Sequence, residues 1–147
     1  MAKATNKPTT SKNDSYIWAV GRRKRAVARI RLYEKDKKSD AIDIEVNGKP
    51  VGQYFHNPIA KLSYSEPLDL TKTTDKYRVT VKVVGSGLEG QLDAVKHGIA
   101  RALVKADADH KPVLRAAGLM TRDDRKKETR KIGHGGKARA KKQSPKR

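Results

Sequence analysis

The chain contains no cysteine in 147 residues. That excludes disulfide scaffolds, thiolate-bound zinc and thiol catalysis together. Aromatic residues are scarce: one Trp, one Phe and five Tyr. A core must therefore be built mainly from Val, Ile, Leu and Ala. No stretch approaches the roughly 18–20 apolar residues that a membrane-spanning helix needs. The opening MAKATNKPTTSKND lacks the apolar segment of a secretory signal, and residues 1–15 read as a disordered leader. Acid is scarce too, with 16 Asp and Glu against 35 Lys and Arg, a formal net charge of +19. Such an excess points to a polyanionic partner.

The charge is unevenly spread. Residues 1–15 carry three Lys and one Asp, and residues 16–121 carry 20 basic and 12 acidic groups. Residues 122–147 carry 12 basic and three acidic groups, 12 − 3 = +9 in 26 positions. After Glu128 there is no acid, and Ile132 is the only large apolar residue beyond Lys131. Such a segment cannot bury enough surface to fold alone. The division is a leader over 1–15, a globular body over 16–119 and an extended basic tail over 120–147.

Within the body, apolar residues begin at Ile17-Trp18-Ala19-Val20. Ala26, Ala28, Ile30 and Leu32 then alternate with Val27, Arg29, Arg31 and Tyr33, the period of a strand with a basic outer face. Ile42, Ile44 and Val46 alternate up to Asn47-Gly48, a tight-turn signal. A short helix is expected around residues 51–55, and the stretch 63–75 carries no strong pattern. Tyr77, Val79, Val81 and Val83 alternate with Arg78, Thr80 and Lys82 as the clearest strand. Leu88, Leu92, Val95, Ile99, Ala102, Leu103 and Ala106 mark one face of a long helix, with a second short helix over 112–117 stopped by Gly118. Three or four strands with one long and one or two short helices make an α+β domain.

Three motifs carry possible chemistry. Gly85-x-Gly87-x-x-Gly90 follows a strand and opens a helix, matching the letters of a dinucleotide fingerprint. A dinucleotide fold also needs a returning parallel strand ending in an acid about 20 residues on, and Asp107-Ala-Asp109-His110-Lys111-Pro112 offers no such strand. The motif reads as a strand-to-helix turn, with a phosphate contact at the helix start as the alternative. His56, His97, His110 and His134 show no metal-ligand spacing, and no catalytic triad or carboxylate pair is discernible. No enzyme and no cofactor are expected. Arg22-Arg23-Lys24-Arg25, with Arg29 and Arg31 on one strand face, places six cations in ten residues. Arg grips phosphate through a planar fork whose charge does not titrate off, so these six read as a nucleic-acid surface. Arg122, Arg125, Lys126, Lys127, Arg130, Lys131, Lys137, Arg139, Lys141 and Lys142 continue it along the tail. Gly133, Gly135 and Gly136 leave that backbone free to bend.

Gly21-Arg22-Arg23-Lys24-x-Ala26-Val27-Ala28-Arg29-Ile30 resembles the opening signature of the bacterial-type small-subunit ribosomal protein S nine family. So do Val46-Asn47-Gly48-Lys49, Tyr54-Phe55, and Gly85-x-Gly87-x-x-Gly90-Gln91 with Gly98-Ile99-Ala100-Arg101. Leu114-Arg115-x-x-Gly118-Leu119-x-Thr121-Arg122-Asp123-x-Arg125, Lys137-Ala138-Arg139 and the terminal Lys146-Arg147 complete the likeness over residues 16–147. The resemblance implies a two-layer α+β sandwich with a mixed sheet and a left-handed βαβ crossover. It also implies a cytoplasmic structural constituent of the small ribosomal subunit, bound to 16S-type ribosomal RNA in the head and to neighbouring ribosomal proteins, with no membrane partner. Lys146 and Arg147, by the same likeness, approach peptidyl-site tRNA.

Two rival readings follow from the residues alone. Ser144-Pro145-Lys146-Arg147 suits an A·T-rich minor groove, as in a DNA-architectural or chromatin-type protein. The turn at residues 85–90 would instead serve a nucleotide-binding enzyme.

Overall fold

The computed structural model describes residues 15–35, 42–129 and 132. Among these residues five strands form one mixed sheet: β1 (Ile17–Arg23), β2 (Ala26–Glu34), β3 (Asp43–Val46), β4 (Lys49–Pro50) and β5 (Tyr77–Val84), in the order β1-β2-β5-β3-β4. β1 pairs antiparallel with β2 from Ile17↔Leu32 to Arg23↔Ala26, across a turn at Lys24 and Arg25. β2 pairs antiparallel with β5, whereas β3 pairs parallel with β5. Among the described residues four α-helices accompany the sheet: α1 (Val51–Tyr54), α2 (Pro58–Leu70), α3 (Leu88–Ala106) and α4 (Lys111–Ala116). The α+β class is therefore as expected, with five strands rather than three or four. The extra strand is the two-residue β4, too short to carry a period.

Strand alternation sets the core. Ala28, Ile30 and Leu32 of β2, Val79, Val81 and Val83 of β5, and Ile44 and Val46 of β3 are all buried. Their neighbours Arg29, Arg31, Lys82 and Asp43 are exposed. Full burial of each such aliphatic side chain contributes about 1.5–3 kcal/mol, so the period-two pattern fixes which sheet face is covered. Leu92, Val95, Ile99 and Leu103 of α3 complete the same core. The other sheet face carries no helix among the described residues.

The turn at Asn47-Gly48 forms as its residues predict, with both φ angles in the left-handed region, at 50° and 78°. Gly118 (φ 73°) ends α4, where the Leu119 amide donates to the Leu114 carbonyl at 3.0 Å. Leu114 and Leu119 are both buried there, the apolar contact that accompanies this helix stop.

The difference of substance is α2, which lies partly in the stretch without a sequence pattern. Asn57 caps it by accepting from the Ile59 amide at 3.0 Å, and Pro58 stands in its first turn. Pro67 sits inside it, while Ile59 and Leu62 are exposed. An interior proline and two apolar residues on the wet side erase the amphipathic signal. Packing of Ala60, Tyr64 and Leu68 into the core holds the helix despite this.

Candidate nucleic-acid interface

The six cations at residues 22–31 fall on one hairpin but not in one role. Arg22 and Arg23 end β1, Lys24 and Arg25 make the turn, and Arg29 and Arg31 rise from β2. Arg22, Lys24, Arg25, Arg29 and Arg31 are exposed. Arg31 lies over the Tyr16 ring, 5.1 Å from its centroid, and Tyr16 packs on Tyr33 at 5.6 Å. That stacking places a guanidinium on the uncovered sheet face. Lys82 on β5 adds a cation to the same face. The acids of this face, Asp43 and Glu45, each lie 3.5 Å from Arg78. One cation thus faces two acids at the β3 end, while the β1–β2 end is cationic.

Arg23 is placed differently. Its side chain is 18% exposed and lies 3.3 Å from Asp93 of α3 and 3.0 Å from Asp123. It also donates to the Arg125 carbonyl at 3.3 Å. Asp123 in turn accepts from the Arg125 amide at 2.9 Å and from its guanidinium at 2.7 Å. These hydrogen bonds hold the Asp123 carboxyl well below the usual carboxylate range. Arg23 thus fastens the root of the basic tail to the body. Arg122, Lys126 and Lys127 are exposed along that root. Arg130, Lys131, Lys137, Arg139, Lys141, Lys142, Lys146 and Arg147 lie outside the described residues.

β1 is an edge strand, and an open edge invites pairing with another chain. Here α3 covers it with one stripe at spacing four. His97 Nδ1 accepts from the Arg22 amide at 3.4 Å, Arg101 donates to the Val20 carbonyl at 2.6 Å, and Lys105 donates to the Trp18 carbonyl at 2.9 Å. Close approach of strand and helix makes this reach possible. A Cβ on Gly21 would overlap the Ala94 carbonyl and lie 2.7 Å from Gly98 Cα. Burial, then the Arg101 charge, holds the His97 imidazole below its ordinary pKa, with Arg122 adding to the effect. Trp18, Arg101 and Lys105 were not singled out from the sequence as site residues. Only the 97–101–105 spacing hinted that they share a helix stripe.

The glycine motif has a structural use. Gly85 (φ 82°) and Ser86 (φ 57°) both turn through the left-handed region. Gln91 donates to the Gly85 carbonyl at 3.0 Å and accepts from the Tyr54 hydroxyl at 2.8 Å. Asn47 donates to Tyr54 at 3.3 Å, and its side chain both donates to and accepts from the Val83 backbone at 3.0 Å. The relay Asn47–Tyr54–Gln91–Gly85 locks the start of α3 onto β3 and β5. After α3 the chain runs into a short 3-10 turn and α4, with no returning strand among the described residues. Nor do those residues contain a cluster of His, Asp or Glu able to hold a metal ion.

A cationic hairpin, a basic sheet face with no helix over it among the described residues, and a basic segment over 122–127 held at Arg23 give the chain a surface suited to a polyanion. The sequence model of the family described as ribosomal protein S9/S16 matches residues 21–147, and the chain belongs to that family, whose members are structural and not enzymes. A protein of Maridesulfovibrio salexigens called small ribosomal subunit protein uS9 is 48% identical over 132 residues, which is 90% of this chain and 97% of that one.

Proposed function

We propose that the protein is a cytoplasmic constituent of the small ribosomal subunit that binds 16S-type ribosomal RNA in the head. The observation that carries this reading is the cluster of exposed cations on the β1–β2 hairpin and the sheet face beside it. Each cation placed at a phosphate releases condensed counterions, which drives binding whatever the sequence. Arg22, Lys24, Arg25, Arg29 and Arg31 do this from the body, while Arg23 aims the tail. The tail cations from Arg122 to Lys142 neutralise phosphates farther out, and Lys146 and Arg147 approach peptidyl-site tRNA. Neighbouring ribosomal proteins share this environment. The β3–α2–β5 connection between parallel strands carries the left-handed crossover that the family likeness implies.

Competition tests the reading. The full chain, bound to a head-domain ribosomal RNA transcript, is challenged with duplex DNA of equal phosphate content. Retention on RNA is expected at about 150 mM salt, because specific partners outcompete non-specific sites by about 10³-fold or more. Equal affinity for duplex DNA would favour the DNA-architectural reading instead.

A further inference from the structure

A groove of about 380 Å³ runs along the covered edge of β1, lined by Trp18, Val20, Arg22, Arg101, Lys105 and Arg122. Four of its six lining residues are cations, and no acid lines it. Among the described residues, none of these four forms an ion pair. Arg101 and Lys105 each use a donor on a β1 carbonyl, but a guanidinium has five and an ammonium three. Donors therefore remain for an anion.

The wall of the groove is unusual for an exposed site. Trp18 is 60% exposed, although the chain has only one Trp. Its ring is pinned on one side by the Lys105 ammonium, 4.5 Å from the centroid. A large aromatic surface in water, already fixed, loses little freedom when something stacks on it. We infer that this groove binds an unpaired nucleotide of RNA, with the phosphate among Arg22, Arg101, Lys105 and Arg122 and the base on Trp18. The chemistry matches single-strand recognition, which combines a cationic track with an aromatic platform. The groove continues the hairpin surface at Arg22, so the inference rests on the ribosomal RNA reading and deepens it.

Because Trp18 is the only tryptophan, its emission reports this one residue in the full-length protein. Trp18 also borders the sheet-face hollow with Arg29 and Arg31, so protection counts for the groove only where it is lost in the Arg22→Gln, Arg122→Gln variant. The head-domain transcript is titrated while filter binding follows total affinity. Iodide and neutral acrylamide are then compared as quenchers. Iodide gathers in the free cationic groove, and bound RNA is expected to cut its quenching about 3-fold or more. Trp18→Leu, at an exposed position, is expected to weaken RNA binding by about 5- to 150-fold. Arg22→Gln with Arg122→Gln, two exposed side chains, is expected to reduce the slope of log affinity on log salt by up to about 0.7, the value for one phosphate of a single strand.

RNA that binds with full affinity while Trp18 stays as open to iodide as before would overturn the groove and leave the ribosomal RNA reading standing. Failure of the transcript to bind at all would remove both. Protection of Trp18 by a poly-glutamate peptide as strong as that by RNA would assign the groove to an acidic protein partner and overturn the inference.

Discussion

Replacing Gly21 by Ala tests whether the contact between β1 and α3 is as close as the structure has it. A Cβ there would overlap the Ala94 carbonyl oxygen and the Gly98 nitrogen, and sit 2.7 Å from Gly98 Cα. All three are backbone atoms of one helix, so no rotamer change relieves them. Ordinary carbon contacts are about 3.5–4.0 Å, and α3 must move as a body. Such overpacking costs about 1–3 kcal/mol and occasionally more. The rigidity of both sides places Gly21→Ala at the upper end, near 3 kcal/mol. The gain from replacing a strand glycine, about 0.5–1 kcal/mol, offsets only part of this. Gly52, with nothing within 4 Å of its would-be Cβ, is the control. Gly52→Ala lies in helix α1 and should be neutral or stabilising by up to about 1 kcal/mol. Urea unfolding of the two full-length variants gives both numbers. Gly21→Ala within about 0.5 kcal/mol of wild type, inside the scatter of ordinary surface changes, would refute the close packing.

Arg23→Gln is expected to cost about 1 kcal/mol, since partly exposed ion pairs each contribute about 0.2–1 kcal/mol, and to raise hydrogen exchange at the Arg125 amide; an unchanged rate would show that Arg23 does not fasten the tail root. His97 has a folded pKa below its unfolded value, so the unfolded state binds the proton first and stability falls as pH drops below about 6.5. Thermal midpoints between pH 7.5 and 5 should show this, with a flatter profile in His97→Gln. Raising salt from about 50 to 200 mM should weaken RNA binding by about 10³–10⁵-fold if six to ten phosphates are neutralised; near-constant affinity would contradict that count. Removing Lys146 and Arg147 should leave subunits assembled but weaken peptidyl-site tRNA by up to about 30-fold, measured as tRNA retained on purified subunits.

Much of the fold was legible because burial on one sheet face writes itself as alternation. Ala28, Ile30 and Leu32, or Val79, Val81 and Val83, announce their strand and their inward side at once. α3 was equally plain from its seven apolar positions. α2 was not, because Pro67 interrupts it and Ile59 and Leu62 face water. The site divides along the same line. A run of like charge shows that a surface is cationic, so the exposure of Arg22, Arg29 and Arg31 follows from local pattern. Which cation is already engaged depends on what comes near it in space. Arg23 meets Asp93 and Asp123, residues 70 and 100 positions away, and nothing local distinguishes it from Arg22. Trp18, Arg101 and Lys105 carry no local signal for the same reason, since the close approach at Gly21 and Gly98 that brings β1 and α3 together exists only in the folded chain. The glycine motif shows the reverse case. Its letters suggested a ligand, whereas Gln91, Tyr54 and Asn47 use the turn to anchor a helix.

The most direct measurement is incorporation into small subunits reconstituted without this protein. Wild-type chain and an Arg22→Glu, Arg29→Glu, Arg31→Glu variant are added over a concentration series and followed by sedimentation with the subunit. All three side chains are exposed and outside the core, so circular dichroism should show the variant folded. The account predicts that wild type co-sediments and that the variant needs about 100-fold more protein or fails, given roughly one lost phosphate contact per residue and added repulsion. A folded variant that enters the subunit as readily as wild type would contradict the central claim that this surface holds the protein on ribosomal RNA.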